Sequence, residues 1–142
     1  MSENNNEIDK SFLNKRVLLV EDNEINADVV TSMLQVKNID VEVVYDGEEA
    51  VDKFESSVPG YYNAILMYIE MPVMNGVEAS KVIRNLHKQD AMTIPIISVT
   101  ANPIFENVFF SRKYGMDDYV GKPIEPESLY AVLKKWFDKY AK

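Results

Sequence analysis

Four short apolar runs of this sequence each end in polar or charged side chains. The side chains at these ends are Glu21 and Asp22, Tyr68, Thr100 and Lys122. Together they supply two carboxylates, two hydroxyl groups and one amine. Such groups can bind ions or move protons if the fold brings the four run ends together.

The spacing of apolar residues predicts elements that would do this. Strands are predicted at residues 16–20, 41–45, 64–69, 94–99 and 119–120. Helices are predicted at residues 25–37, 48–54, 76–86 and 126–140, with a further helix that opens near Pro103. Strands joined by helical crossovers form a parallel sheet covered on both faces, and ligand sites lie at the carboxyl ends of its strands. We therefore expect an α/β fold with the four polar ends at one edge of the sheet.

Two of the predicted helices carry clear apolar faces. Helix 25–37 places Val29, Val30, Met33 and Leu34 at helical spacing. The C-terminal helix does the same with Leu129, Val132, Leu133, Trp136 and Phe137. Both helices are expected to pack against the sheet.

Length and composition limit the possible classes of protein. The chain has 142 residues, which favours one domain, and its net charge of −8 disfavours contact with nucleic acids or anionic membranes. It has no cysteine and one histidine, which excludes disulfide scaffolds, thiolate metal sites and multi-histidine zinc sites. No apolar run is long enough to span a membrane, so we expect a cytoplasmic protein. Residues 1–14 are polar and are expected to be a flexible leader or linker before a domain at 15–142.

The motifs around the four run ends resemble those of one family. VEDNEIN follows the first strand, ILMYIEMPVMNG spans the third, SVTAN ends the fourth and DDYVGKP covers the fifth. In this order and spacing they resemble the receiver domain of two-component response regulators over about residues 15 to 140. The amino-acid sequences of these motifs are most similar to those of receivers attached to hybrid sensor kinases.

The resemblance implies a fold and a set of site residues. The implied fold is the flavodoxin-like (βα)5 three-layer sandwich with a five-stranded parallel sheet in the order 2-1-3-4-5. Receivers bind Mg²⁺ and take a phosphoryl group from phosphohistidine onto an aspartate that ends the third strand. By motif, the Mg²⁺ ligands would be Glu21, Asp22 and the backbone carbonyl of Glu70. Contacts to phosphate and the switch positions would fall on Thr100, Ala101, Tyr119, Lys122 and Pro123. The alternative for Glu21 and Asp22 is that they cap the following helix.

One position departs from the family pattern. Tyr68 occupies the place of the phosphoacceptor aspartate. A phenol with an ordinary pKa of about 10 is neutral at pH 7, so it is a poor nucleophile and a poor Mg²⁺ ligand. We expect ordinary phosphorylation to be lost and Mg²⁺ binding to weaken. The Tyr68 ring must either fill the acidic pocket or swing out over it, and we favour a ring that fills the pocket. A naturally degenerate receiver and a replaced aspartate are both compatible with this pattern.

Two other functions are alternatives to this one. Phosphorylation of Tyr68 itself, or transfer to Glu70, Asp22 or Glu21, would make the chain an active receiver with an unusual acceptor. A flavodoxin-like cofactor binder would need a first loop that accepts phosphate, and here that loop is Glu-Asp-Asn-Glu, without glycine, serine or threonine. We therefore predict a phosphorelay receiver without enzyme activity that acts as a protein-binding module.

The resemblance also implies partners. A histidine kinase or a phosphotransfer domain would bind the receiver. Phe105, Val108 and Phe109 recur at helical spacing in the helix that opens near Pro103. This stripe either belongs to the core or forms a docking surface, for a partner domain or for a homodimer through that helix and the C-terminal helix.

Overall fold

Strands rich in valine, leucine and isoleucine alternate with amphipathic helices through most of the chain. The computed structural model describes residues 9–101 and 112–140. The strands are β1 (Arg16–Val20), β2 (Asp40–Val44), β3 (Ala64–Tyr68), β4 (Ile96–Thr100) and β5 (Asp118–Gly121). The helices are α1 (Glu24–Val36), α2 (Gly47–Ser56), α3 (Gly76–Arg84) and α4 (Pro126–Lys139), and a short 3-10 helix covers Lys10–Phe12.

All strand pairs in the sheet are parallel, and the strand order is β2-β1-β3-β4-β5. The predicted α/β class and strand order are thus confirmed. The predicted bounds of these elements lie within two residues of the observed ones.

Side-chain alternation along the strands divides the core into two layers. Leu19 and Leu66 face one side of the sheet and pack with buried residues of α1 and α4. Leu18 and Ile65 face the other side and pack with α2 and α3. Strands β1 and β3 are therefore apolar on both faces, as expected for a parallel sheet covered by helices.

Short polar side chains fix where three of the helices begin. Asn23, Asp46 and Asn75 each accept a hydrogen bond from the backbone amide three residues further on, at 2.9, 2.8 and 2.9 Å. These bonds satisfy amides that have no partner within the helix. Because the caps follow the ends of strands, they also determine where the chain leaves the carboxyl edge of the sheet.

The prediction that residues 1–14 form a flexible leader is wrong for the last residues of that segment. Phe12 is 3% exposed and packs edge-on against the rings of Tyr130 and Phe137, with centroids 6.3 and 6.1 Å apart. Lys134 on α4 donates a hydrogen bond of 2.8 Å to Ser11. Burial of one aromatic ring thus extends the packed domain to residues before the predicted boundary at 15.

The apolar face predicted for residues 25–37 needs a smaller correction. Val30 and Leu34 are buried, whereas Val29 is 50% exposed. Successive helical residues point 100° apart, so Val30 lies at the centre of the apolar face, towards the sheet, and Val29 lies at the edge of that face. The helix near Pro103 and its stripe of Phe105, Val108 and Phe109 lie outside the described residues, and their roles stay predictions.

Candidate functional site at the carboxyl edge of the sheet

The four predicted run ends lie at the same edge of the sheet. Tyr68 ends β3 beside Val99, and Thr100 ends β4 beside Gly121. Glu21 follows β1, and its amide donates to the carbonyl of Val44 at 3.1 Å, which continues the pairing of β1 with β2. Parallel pairing is the reason that these residues, distant in sequence, share one edge.

The two acidic residues after β1 have different environments. Glu21 is fully buried, and neither of its carboxylate oxygens has a hydrogen-bond partner among the described residues. Burial raises the pKa of Glu21, although the nearby Asn26 side chain and the charge of Lys122 act in the opposite direction. Asp22 is exposed. The capping alternative is wrong for both, because Asn23 caps α1.

Tyr68 is buried at the centre of this edge. Its side chain is 3% exposed and belongs to the core layer shared with α1 and α4. The Lys122 amine lies 4.8 Å from the centroid of the ring, within reach of a cation–π interaction. Burial, and then the negative charge of Glu21, raise the pKa of Tyr68 above its usual value. The ring therefore fills the site as a neutral phenol and does not swing out over it.

The loop after β3 is held tightly against the strand. The Gly76 amide donates to the carbonyl of Ile69 at 2.8 Å, and a Cβ at Gly76 would lie 2.2 Å from the carbonyl oxygen of Tyr68. This close approach excludes any side chain at position 76. Within the loop Glu70 is exposed, and Val73 has a φ of 68°, a conformation that branched side chains rarely adopt.

The remaining predicted positions surround this centre. Thr100 is 2% exposed, whereas Ala101, which follows it, is exposed. Tyr119 is half-buried beside Ser98 in the middle of β5. Lys122 and Pro123 are exposed and are joined by a cis peptide bond.

Sequence reasoning missed a cavity beside Tyr68. The cavity has a volume of about 320 Å³ between α1 and the loop that joins β5 to α4. It is lined by Asn26, Val29, Val30, Met33, Tyr68, Lys122, Pro123 and Ile124. The apolar pattern of α1 alone does not reveal it, because Val29 on its wall was expected to pack against the sheet and is 50% exposed.

The side chains at this edge do not fit a divalent cation held by several carboxylates. Glu21 and Asp22 are adjacent, and the unpartnered Glu21 carboxylate could contribute to a cation site. Across the described residues, however, no group of three or more His, Cys, Asp and Glu side chains is placed to hold a metal ion. The side chain at the centre of this edge is the buried, neutral phenol of Tyr68.

The fold and the four motifs together define the family. Residues 17–134 match the response regulator receiver domain family, so the chain belongs to that family. None of the helices in the described part of the chain has the length and apolar character needed to cross a membrane.

Similar proteins include segments of hybrid histidine kinases. The chain is 36% identical over 128 residues to hybrid signal transduction histidine kinase I of Dictyostelium discoideum, which covers 89% of this chain and 7% of that kinase. It is 33% identical over 135 residues to the osmosensing histidine protein kinase SLN1 of Saccharomyces cerevisiae, covering 93% of this chain and 11% of SLN1. The chain thus spans a small fraction of the length of these curated relatives.

Solved structures include receivers with a metal or a partner. The receiver domain of the sensor histidine kinase PA1611 of Pseudomonas aeruginosa, which has a magnesium ion in its active site cleft, is 35% identical with a TM-score of 0.76, covering 87% of this chain and 98% of that one. The Saccharomyces cerevisiae receiver of Ssk1, solved with the histidine phosphotransfer protein Ypd1, is 28% identical with a TM-score of 0.77. That match covers 90% of this chain and 92% of the other chain.

Proposed function

We propose that this receiver domain acts in a phosphorelay as a protein-binding module that is not phosphorylated at the end of β3. One observation carries the proposal: the residue at the centre of the carboxyl edge is the buried, neutral phenol of Tyr68. Tyr68 would then occupy the position at which the family carries its phosphoacceptor aspartate.

The chemistry of acceptor groups supports the loss of phosphorylation. In receivers a carboxylate oxygen attacks phosphorus in line with the bond to the histidine nitrogen, and an acyl phosphate forms as that bond breaks. A phenol must lose its proton to attack comparably, and burial with a negative neighbour opposes that loss in Tyr68. The ring also takes up space beside Lys122, which in the family contacts the phosphate.

Weakened magnesium binding follows from the same substitution. Mg²⁺ favours oxygen ligands in octahedral geometry, and carboxylates supply them best. Glu21, Asp22 and the carbonyl of Glu70 would be left to hold it without a third carboxylate. We expect calorimetric titration to show clearly weaker Mg²⁺ binding by this chain than by Tyr68→Asp. Equal affinities would contradict this expectation.

The surface beside Tyr68 supports a role in protein binding. Ile25 and Val29 are exposed on α1, and Val29 also lines the cavity next to Tyr68. Exposed apolar side chains beside a concave site are typical of protein interfaces. A related receiver binds a histidine phosphotransfer protein. We infer that α1 and this cavity bind the phosphotransfer domain or the histidine kinase of the pathway.

Binding can be measured by calorimetry with the yeast phosphotransfer protein as the probe. We expect the affinity to be the same before and after the receiver is incubated with acetyl phosphate and Mg²⁺. Val29→Glu should weaken binding about tenfold or more, because it puts a charge into the apolar contact.

The matched control is Val58→Glu, which changes an exposed valine in the loop after α2. Its affinity should equal that of the parent. An affinity that changes with acetyl phosphate would contradict the proposal and would favour an active receiver. The modified residue would then be sought among Tyr68, Glu70, Asp22 and Glu21.

A further inference from the structure

A second cavity lies at the opposite end of the sheet from Tyr68. It has a volume of about 550 Å³ and is formed by the end of α3, the segment 112–117 and the end of α4. The Asp117 amide donates to the carbonyl of Ile96 at 2.8 Å, which places this segment at the amino end of β4. None of the residues that line this cavity also lines the cavity beside Tyr68.

Positive charge dominates the lining of this second cavity. Its cationic side chains are Lys81, Arg84, Arg112, Lys113 and Lys139, and we call this set the basic groove. The lining contains one carboxylate, Asp117, and Arg84 pairs with it at 2.8 Å. Five of the 15 Lys and Arg residues of a chain with a net charge of −8 thus lie in one groove.

Arg84 has a structural role in the groove. Besides the Asp117 pair, its guanidinium donates to the carbonyl oxygens of Gly115, Ala91 and Ile94, each at 2.9 Å. The four remaining cations of the groove form no ion pair within residues 9–101 and 112–140. Four neighbouring like charges repel one another, and a bound anion would relieve this repulsion.

The form of the groove indicates what kind of anion it fits. Lys81, Arg112, Lys113 and Lys139 are exposed on flexible stems, and they come from three separate segments that line an open groove: α3, residues 112–113 and α4. Apolar surface lies between the charges: Met92 is 72% exposed, and the Lys81 amine lies 5.0 Å from the centroid of the Tyr114 ring. A compact phosphate needs converging donors, whereas an extended acidic segment can use separated charges and the apolar surface between them.

We propose that the basic groove binds an acidic peptide segment of a partner protein that has apolar residues between its carboxylates. The carboxylates would pair with Lys81, Lys113 and their cationic neighbours, and the apolar side chains would contact Met92 and Tyr114. This surface is separate from the Tyr68 edge, so its use does not depend on the function proposed above.

The test uses fluorescence anisotropy of a labelled twelve-residue peptide in which glutamate and leucine alternate. We expect saturable binding at low ionic strength and weaker binding as salt is added. Lys81→Gln with Lys113→Gln should weaken binding about fivefold, because it removes two cations that would pair with carboxylates of the peptide. Lys10→Gln with Lys37→Gln makes the same change of net charge outside the groove and should leave the affinity within about twofold.

Four outcomes would overturn the proposal. They are the absence of saturable binding, equal weakening by both double variants, equal affinity for a peptide with glutamine in place of glutamate, and tighter binding of inorganic tripolyphosphate than of the peptide. The last would assign the groove to a compact phosphate ligand. Circular dichroism of the double variants separates a loss of binding from a loss of folding.

Discussion

At the scale of single residues, Tyr68 shows both the reach and the limit of sequence reasoning. The residue type and its place after an apolar run predicted that a neutral phenol stands where the family has a carboxylate. The bulk of the ring favoured a position inside the site, but the sequence alone also allowed the ring to swing out. The structure resolves this because β3 is buried on both faces and the pleat directs Tyr68 into the layer with α1 and α4.

Val73 offers a prediction at the same scale. Its φ of 68° places a branched side chain in the left-handed region, and the side chain is 76% exposed. An L-residue in this region is strained by roughly 1–2 kcal/mol, and asparagine tolerates it better. Val73→Asn should therefore raise the free energy of unfolding by about 1 kcal/mol, as measured by urea denaturation.

The control for this prediction is Val58→Asn, which changes another exposed valine that does not have a positive φ. Its free energy of unfolding should stay close to that of the parent. A Val73→Asn protein no more stable than Val58→Asn would show that the loop after β3 is not strained at this residue.

At the scale of elements, apolar periodicity was sufficient to predict the five strands of the sheet and the four α-helices described above. It could not predict that Asn23, and not Asp22, caps α1, because either short polar residue suits that position and the turn geometry decides. It also missed the cavity beside Tyr68, because a cavity depends on how α1 and the loop after β5 are spaced. Periodicity within one element carries no information on that spacing.

The contact between β5 and α4 gives a pH-dependent prediction. Asp118 is 5% exposed and accepts hydrogen bonds from Trp136 at 2.8 Å, Lys135 at 2.7 Å and the Tyr119 amide at 2.9 Å. Burial alone would raise the pKa of Asp118, but these three donors together lower it. The ionised carboxylate is therefore favoured in the folded state. It stabilises the fold above the ordinary pKa of about 4, and this contribution is lost as the pH falls through the lowered pKa.

Asp118→Asn should cost about 1–3 kcal/mol of unfolding free energy at pH 7. The difference from the parent should be smaller at pH 3 than at pH 7, because the contribution of the ionised carboxylate decreases once the pH falls below about 4. Urea denaturation at both pH values measures this, with the exposed Asp28→Asn as the control. An equal difference at the two pH values would show that the charge of Asp118 does not contribute to the pairing of β5 with α4.

At the scale of the whole molecule, the domain is larger than the hydropathy of its amino end indicates. The first 14 residues are polar on average, so averaging predicted a leader for all of them. The prediction fails for Phe12 and its neighbours, because the Phe12 ring packs against α4, which lies near the other end of the sequence. Such a contact depends on the tertiary fold, which local composition does not report.

Phe12 gives the prediction for this scale. Phe12→Ala should lower the free energy of unfolding by about 3–5 kcal/mol, since it removes a buried ring and leaves a cavity against α4. Leu13→Ala, at a side chain that is 48% exposed, should cost much less. Denaturation of both variants with urea measures the contrast. Equal small losses would place Phe12 outside the cooperative core.

The central claim is that Tyr68 prevents phosphorylation of an otherwise receptive receiver. The most direct test is the intact mass of this chain and of Tyr68→Asp after incubation with acetyl phosphate and Mg²⁺, with both proteins shown to be folded. We predict that Tyr68→Asp gains one phosphoryl group and that the parent gains none. A phosphoryl group on the parent, or none on either protein, would contradict the claim.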